Sequence, residues 1–155
     1  MTTSFLDTAA PVRACVVSLG GPLVALDLAD VREVAVFEDW TAMPLAPPHV
    51  VGVANLRGSV VPIVDAHAAL GLPPRRPERR VRACVLAAAG LEAAMVIDVV
   101  VALEAFSEME PLDRSHAPAF HHALGWVRRE TGPVPLLDVP SLLQALRPAG
   151  ARAAA

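Results

Sequence analysis

His116, His121 and His122 make an H-x4-H-H cluster, the densest grouping of metal-ligating side chains in the chain. A transition-metal centre needs several such groups converging from one side. No Cys or carboxylate stands at ligand spacing beside these histidines, and adjacent histidines on a helix point in different directions. A solvated loop or helix is therefore expected, with no metal. Asp65, His67 and Ser59 superficially supply the members of a nucleophilic triad. The G-x-S-x-G turn that would expose such a serine is missing, and Asp65 is better placed as a helix N-cap. Gly52 to Ser59 has the outline of a phosphate loop, but its glycines stand one residue too far apart and the lysine is absent. An extended run also follows where a helix N-terminus would be required. Glu108, Glu110 and Asp113 show no pairing that would separate an acid from a base, and are expected on a solvated face. The expectation is a non-enzyme without cofactor. A small metal-binding or hydrolytic protein, using the histidines or the Asp65 and His67 pair, is the alternative from a different class.

With catalysis set aside, Arg57 is the residue to watch. It stands at or near the tip of an expected hairpin, beside Gly58, which is free to take positive φ. An arginine in such a tip is ordinarily a solvated turn residue. Held rigidly, its planar five-donor group is suited to a carboxylate or backbone carbonyls of a partner protein.

The elements that must present it follow from composition and pattern. The chain has 155 residues, 54% hydrophobic and 19% charged, which excludes a disordered or acidic-tail protein. Aromatic residues make up 4%, with no Tyr, so the core must be assembled from many Val, Leu and Ala side chains on a regular scaffold. A net charge of −3 argues against a nucleic-acid or membrane-surface partner. The apolar tract from Val81 towards Leu103 is interrupted by Arg82, Glu92 and Asp98 and does not read as a membrane span. Residues 1–11 carry no signal-peptide pattern. Cys15 and Cys84 lie far apart without CxxC spacing, so neither a disulfide framework nor a zinc ribbon is expected, and a reducing cytosol fits better.

Read against itself, the chain repeats. Val12-Arg13-Ala14-Cys15-Val16 recurs unchanged 69 positions later as Val81-Arg82-Ala83-Cys84-Val85. Further on the offset becomes 73, where Val61-Pro62-Ile63-Val64-Asp65 matches Val134-Pro135-Leu136-Leu137-Asp138. The shift implies four extra residues between Leu103 and Gly125. The expectation is one domain over 1–155 built from two duplicated units, about 12–71 and 81–146, joined by a linker from Pro73 to Arg80. Units of this size are marginal alone and should share an interface.

Within one unit, Val16 to Leu28 reads as strand, turn, strand around Leu19-Gly20-Gly21-Pro22. Val50 to Leu56 and Val60 to Val64 are strands joined through Arg57-Gly58-Ser59. Pro62 cannot donate to a ladder, which predicts an edge or a bulge. Asp65 is expected to start a short helix ending at Leu70 and stopped by Gly71; Asp138 with Pro140 starts its counterpart, stopped at Arg147-Pro148. Short strands punctuated by Pro and Gly predict paired small β-barrels, with an Ala-rich disordered tail over 147–155.

At these residues the chain resembles the CheW family of chemotaxis coupling proteins. The resemblance is carried by Val51-Gly52-Val53-Ala54-Asn55-Leu56-Arg57-Gly58-Ser59-Val60-Val61-Pro62-Ile63-Val64-Asp65, with its NLRG hairpin and PxxD strand end, and extends over roughly residues 12 to 146. It implies a mainly β fold of two SH3-like five-stranded β-barrel subdomains packed together, with short helices. It also implies a non-enzymatic cytoplasmic adaptor recruited to membrane-associated receptor arrays. The partners implied are the cytoplasmic tip of methyl-accepting chemoreceptors and the regulatory domain of a CheA-type histidine kinase. Val31, Gly52, Arg57 and Gly58 match positions tied in that family to receptor coupling, and Asn55 matches the residue that would shape the same hairpin. Ala66-His67 replaces the family's usual Leu-Arg after the motif aspartate, and Val99 stands where Gly is common. A divergent scaffold serving a non-chemotactic kinase pathway is the alternative within the same fold.

Overall fold

A computed structural model describes residues 11–73, 75, 78–111 and 122–147. The first half contributes strands β1 (Val12–Ser18), β2 (Leu23–Asp27), β3 (Val31–Phe37), β4 (Trp40–Thr41), β5 (Val50–Leu56) and β6 (Ser59–Val64). The second contributes β7 (Val81–Ala88), β8 (Leu91–Val96), β9 (Val99–Phe106), β10 (Glu110–Pro111), β11 (Ala123–Arg129) and β12 (Gly132–Leu137), then a helix, α1 (Val139–Leu146). The two halves thus run through the same order of strands. Leu19 N–H donates to the Pro22 carbonyl (2.8 Å) in the expected first turn.

The sheets do not follow the sequence units. One has the order β3-β7-β8-β6-β5-β4 and the other β10-β11-β12-β2-β1-β9. Each takes four strands from one half and a two-stranded hairpin from the other. The β7–β8 hairpin lies between β3 and β6, and the β1–β2 hairpin between β9 and β12, so exchanging the halves leaves the pairing scheme unchanged. Both sheets curl into SH3-like barrels, with the two-residue strands β4 and β10 added at the edges as sixth members.

The four hairpin strands are buried on both faces, which explains their unbroken apolar runs. In β1, Ala14 and Val16 point into one barrel with Ala25, Val127, Val134 and Leu136. Cys15 and Val17 point the other way, into a shared core with Leu26, Cys84, Leu86, Met95 and the helix residues Leu142 and Leu146. Ala83 and Val85 of β7 face the second barrel with Phe37, Val61 and Ile63. Three apolar layers stacked in this way let small aliphatic side chains close a core with few aromatics, because each central strand buries three or four consecutive residues rather than every second one.

Two local expectations are corrected. Pro62 is not on an edge strand, since β6 lies between β5 and β8. The parallel β6–β8 pairing begins only at Ile63↔Ala94, so the missing N–H falls where that side of the strand is still unpaired. Asp65 does not cap the turn after β6. A short 3₁₀ turn, Ala68–Leu70, follows His67, which provides no side-chain cap, and ends at Gly71 in the left-handed conformation (φ 80°). Asp138 does cap α1, accepting from Ser141 N–H at 3.2 Å. His116, His121, Asp113, Pro148 and the tail 148–155 lie outside the described residues, as does much of the stretch expected to hold the four-residue insertion.

Candidate partner-binding site

The β5–β6 hairpin has a two-residue loop, Arg57-Gly58, closed by the Leu56↔Ser59 pair. Both loop residues take positive φ, 52° for Arg57 and 88° for Gly58. Positive φ at both central positions is the primed turn whose twist matches the flanking strands. Gly58 adopts it at no steric cost; Arg57 does so against the Cβ penalty of an L-residue. Asn55 offsets this by accepting the Gly58 N–H on Oδ1 at 2.9 Å. The turn therefore holds Arg57 at the tip, its side chain 79% exposed.

The guanidinium is tethered. Arg57 Nη2 donates to Glu33 Oε1 at 3.1 Å. Glu33 belongs to β3, two residues beyond Val31, which is half-buried against the shared core. Next to this pair Arg32 faces Glu92 at 3.5 Å. Arg32, Glu33, Leu56, Arg57, Ser59 and Glu92 line one depression at the hairpin tip. On the face of β3 opposite Glu33, Val34 and Val36 (42% and 41% exposed) lie in line with Arg32, and Val60 projects beside the tip. The result is a fixed cation among alternating charges with the exposed Val60 alongside, a surface suited to an apolar partner stripe whose register is set by a carboxylate or carbonyl.

The structure brings Asn55, Arg57 and Gly58 together and links them through Glu33 to the strand bearing Val31. Gly52 has a different place. It is buried in β5, where a Cβ would strike the Thr41 carbonyl oxygen and approach Trp40 Cε3 to 2.8 Å. Its missing side chain lets β4 pack onto β5, as Gly125 does for β10, where Glu110 O would lie 2.5 Å from a Cβ. Glu33 carries no signal of pairing in the sequence, because its partner is 24 residues away on another strand.

The residues weighed for chemistry are dispersed or used otherwise. Asp65 and His67 do meet, with Oδ1 2.5 Å from His67 Nδ1 and accepting the His67 N–H at 2.8 Å. Ser59 is at the far end of β6, so no triad forms. Burial raises the Asp65 carboxyl, but hydrogen bonds from the His67 ring, the His67 N–H and the Arg75 N–H outweigh it and hold the group below the usual carboxylate value. His67 is 2% exposed and its Nε2 has no hydrogen-bond partner among the described residues. Arg75 meanwhile pairs with Asp98, whose Oδ2 accepts the Gly20 N–H at 2.5 Å. This network ties the linker, the β1–β2 turn and the β8–β9 turn together. His122 Nδ1 contacts Ser141 Oγ at 2.8 Å, beside the α1 cap. Glu110 pairs with Arg128 through two hydrogen bonds of 2.9 and 3.1 Å rather than with another carboxylate. Among the described residues no three His, Cys, Asp or Glu side chains gather as a metal site, and no helix is long and apolar enough to cross a membrane.

A family model described as CheW-like domain matches residues 13–147. The probable chemotaxis protein CheW of Rhizobium etli is 40% identical over 62 residues, 40% of each chain. The chemotaxis protein CheW of Bacillus subtilis is 28% identical over 86 residues, 56% of this chain and 55% of that one. Protein PilI of Pseudomonas aeruginosa is 31% identical over 111 residues, 66% of this chain and 61% of PilI. The matches thus span about two fifths to three fifths of these relatives. The crystal structure of the scaffolding protein TtCheW from Thermoanaerobacter tengcongensis superposes with a TM-score of 0.72 at 24% identity, covering 83% of this chain and 89% of that one, and shares the fold. With the family model spanning both barrels and the NLRG hairpin, the chain belongs to the CheW-like domain family.

Proposed function

We propose that this protein is a non-enzymatic adaptor that couples the cytoplasmic tip of methyl-accepting chemoreceptors to the regulatory domain of a CheA-type histidine kinase, in the cytoplasm at membrane-associated receptor arrays. The observation that carries the reading is the Arg57–Glu33 pair at the tip of a two-residue hairpin. It fixes a planar donor group at the hairpin tip beside the exposed Val60, a combination suited to seating and orienting an amphipathic receptor helix. Val31, Asn55 and Gly58 belong to the same surface by position, and Gly52 supports it from within. The CheW-like family and relatives named as chemotaxis proteins support the same reading.

The test is co-purification of the full chain with a receptor signalling fragment and, separately, with the kinase regulatory domain. The wild type is expected to retain both, and Arg57→Ala to keep the kinase domain while losing the receptor fragment. Failure to retain either partner overturns the proposal. A second reading, a scaffold in a non-chemotactic kinase pathway, is favoured by the 111-residue similarity to PilI, a relative not named for chemotaxis. Retention of the kinase domain without the receptor fragment is its expected signature.

A further inference from the structure

Cys15 and Cys84 occupy the same position of the repeated pentapeptide, on β1 and β7. Alternation along the strands turns both away from their own barrels and into the shared core, where they are 1% and 0% exposed. Exchanging the halves maps β1 onto β7, so the two cysteines hold equivalent positions in that scheme. Both side chains belong to that one buried cluster and lie near enough for each thiol to shift the titration of the other. Two cysteines distant in sequence, with no spacing that hints at pairing, thus neighbour one another in the core shared by the two sheets.

We propose that Cys15 and Cys84 form an oxidisable dithiol whose disulfide staples the two sheets across their shared core. Either thiol can react first, and the chemistry is the same with Cys15 in the lead. With a peroxide as oxidant, Cys15 sulfur attacks one peroxide oxygen. The S–O bond forms, the O–O bond breaks, and the departing hydroxide takes up the thiol proton as water. Cys84 sulfur then attacks Cys15 sulfur. The S–S bond forms, the S–O bond breaks, and a second water leaves with the Cys84 proton. Two electrons pass from the thiol pair to one hydrogen peroxide, which becomes two waters. Burial means that oxidant and reductant reach the pair only when the sheets part, so formation and reduction are both slow. The stapled form fixes the sheet that carries Val31 and Arg57 relative to the sheet that carries β1 and β2.

The test equilibrates the full chain with mixtures of reduced and oxidised glutathione, in native buffer and in concentrated guanidinium, followed by acid quench, alkylation and intact-mass and peptide analysis. The expected product is a monomer lighter by two hydrogen atoms, with the Cys15 and Cys84 peptides joined. Native contact should raise the dithiol–disulfide equilibrium constant at least about a hundredfold over the unfolded chain, where a separation of 69 positions dilutes one thiol about the other. Equal or smaller constants in native buffer overturn the proposal. So do glutathione mixed disulfides or intermolecular dimers as the main products. Cys84→Ala should abolish the lighter species, and the native-to-unfolded comparison on the wild type decides the matter even where that variant folds poorly.

Discussion

Arg57 at the β5–β6 tip and Glu33 on β3 meet at 3.1 Å, Nη2 to Oε1, across an otherwise open surface. Exposed pairs of this kind are worth about 0–1 kcal/mol to folding. Glu33→Ala is therefore expected to leave the unfolding midpoint nearly unchanged. Its effect should fall on recognition: freed from its tether, Arg57 must be ordered at the moment of binding. Glu33→Ala and Arg57→Ala should each weaken receptor-fragment binding about tenfold, roughly 1.4 kcal/mol. The double variant should be no weaker than Arg57→Ala alone. Titration calorimetry on the four proteins checks this, and additive losses would contradict the tether.

Arg57 also holds a strained backbone. Its φ of 52° is a conformation that Asn or Gly adopts more readily. Arg57→Asn is accordingly expected to keep or raise the thermal midpoint, by up to about 4 °C, while losing receptor binding. A marked fall in midpoint would show that the arginine is there for stability.

Much of the hairpin was legible because its signals are local. Gly58 followed by an alternating run announces the turn, and Asp138 with Pro140 announces α1 in the same way. Which strands lie beside one another is not local. Nothing in Val12–Ser18 indicates that β1 will pair with β9 at Val12↔Phe106 rather than with a strand of its own unit. The Pro62 rule failed for the same reason: it correctly notes a missing donor, but whether a neighbour needs that donor depends on where β8 begins to pair. Cys15 and Cys84 show the opposite case. Their spacing argued against any relation, yet the two equivalent hairpins place them in one core. His67 was visible as a neighbour of Asp65, whereas its burial beneath Gly20 was not.

Gly52 separates contact from packing. Gly52→Ala places a methyl group against the Thr41 carbonyl and the Trp40 ring, neither of which can yield without moving β4. Overpacking of this kind costs about 1–3 kcal/mol. The variant should lower the thermal midpoint by several degrees and weaken receptor and kinase binding together, unlike Arg57→Ala. Gly125→Ala should reproduce the stability loss, since Glu110 O lies equally close there.

Asp65 predicts an acid limb in the stability profile. Its carboxyl is held below the usual value of about 3.9 by the His67 and Arg75 hydrogen bonds, despite burial. A group depressed on folding contributes stability that is present above its unfolded value and lost as pH falls through its folded one. Stability should therefore decline from about pH 4 downward. Asp65→Asn should be less stable than the wild type at neutral pH and show a shallower fall in that range. Urea midpoints measured from pH 7 to pH 2 test this, and parallel curves for the two proteins would count against the assignment.

The division of strands between sheets makes a prediction about fragments. Cutting at the linker, to isolate residues 12–71, severs the β1–β9, β2–β12, β3–β7 and β6–β8 pairings. A contiguous piece from Val31 to Val96 instead keeps every ladder of its sheet, from β3–β7 through β7–β8, β6–β8 and β5–β6 to β4–β5. Its exposed shared-core face, with Cys84, Leu86 and Met95, would still make it marginal. The expected outcome is that the piece from Val31 to Val96 shows strand circular dichroism and partial amide-exchange protection, whereas 12–71 shows neither. In the intact chain, each sheet borrows its central hairpin from the other half, so neither can melt without stripping the other of two strands. Calorimetry should accordingly record one transition whose van't Hoff and calorimetric enthalpies agree. Two resolved transitions would mean that the borrowed hairpins contribute little to holding the sheets together.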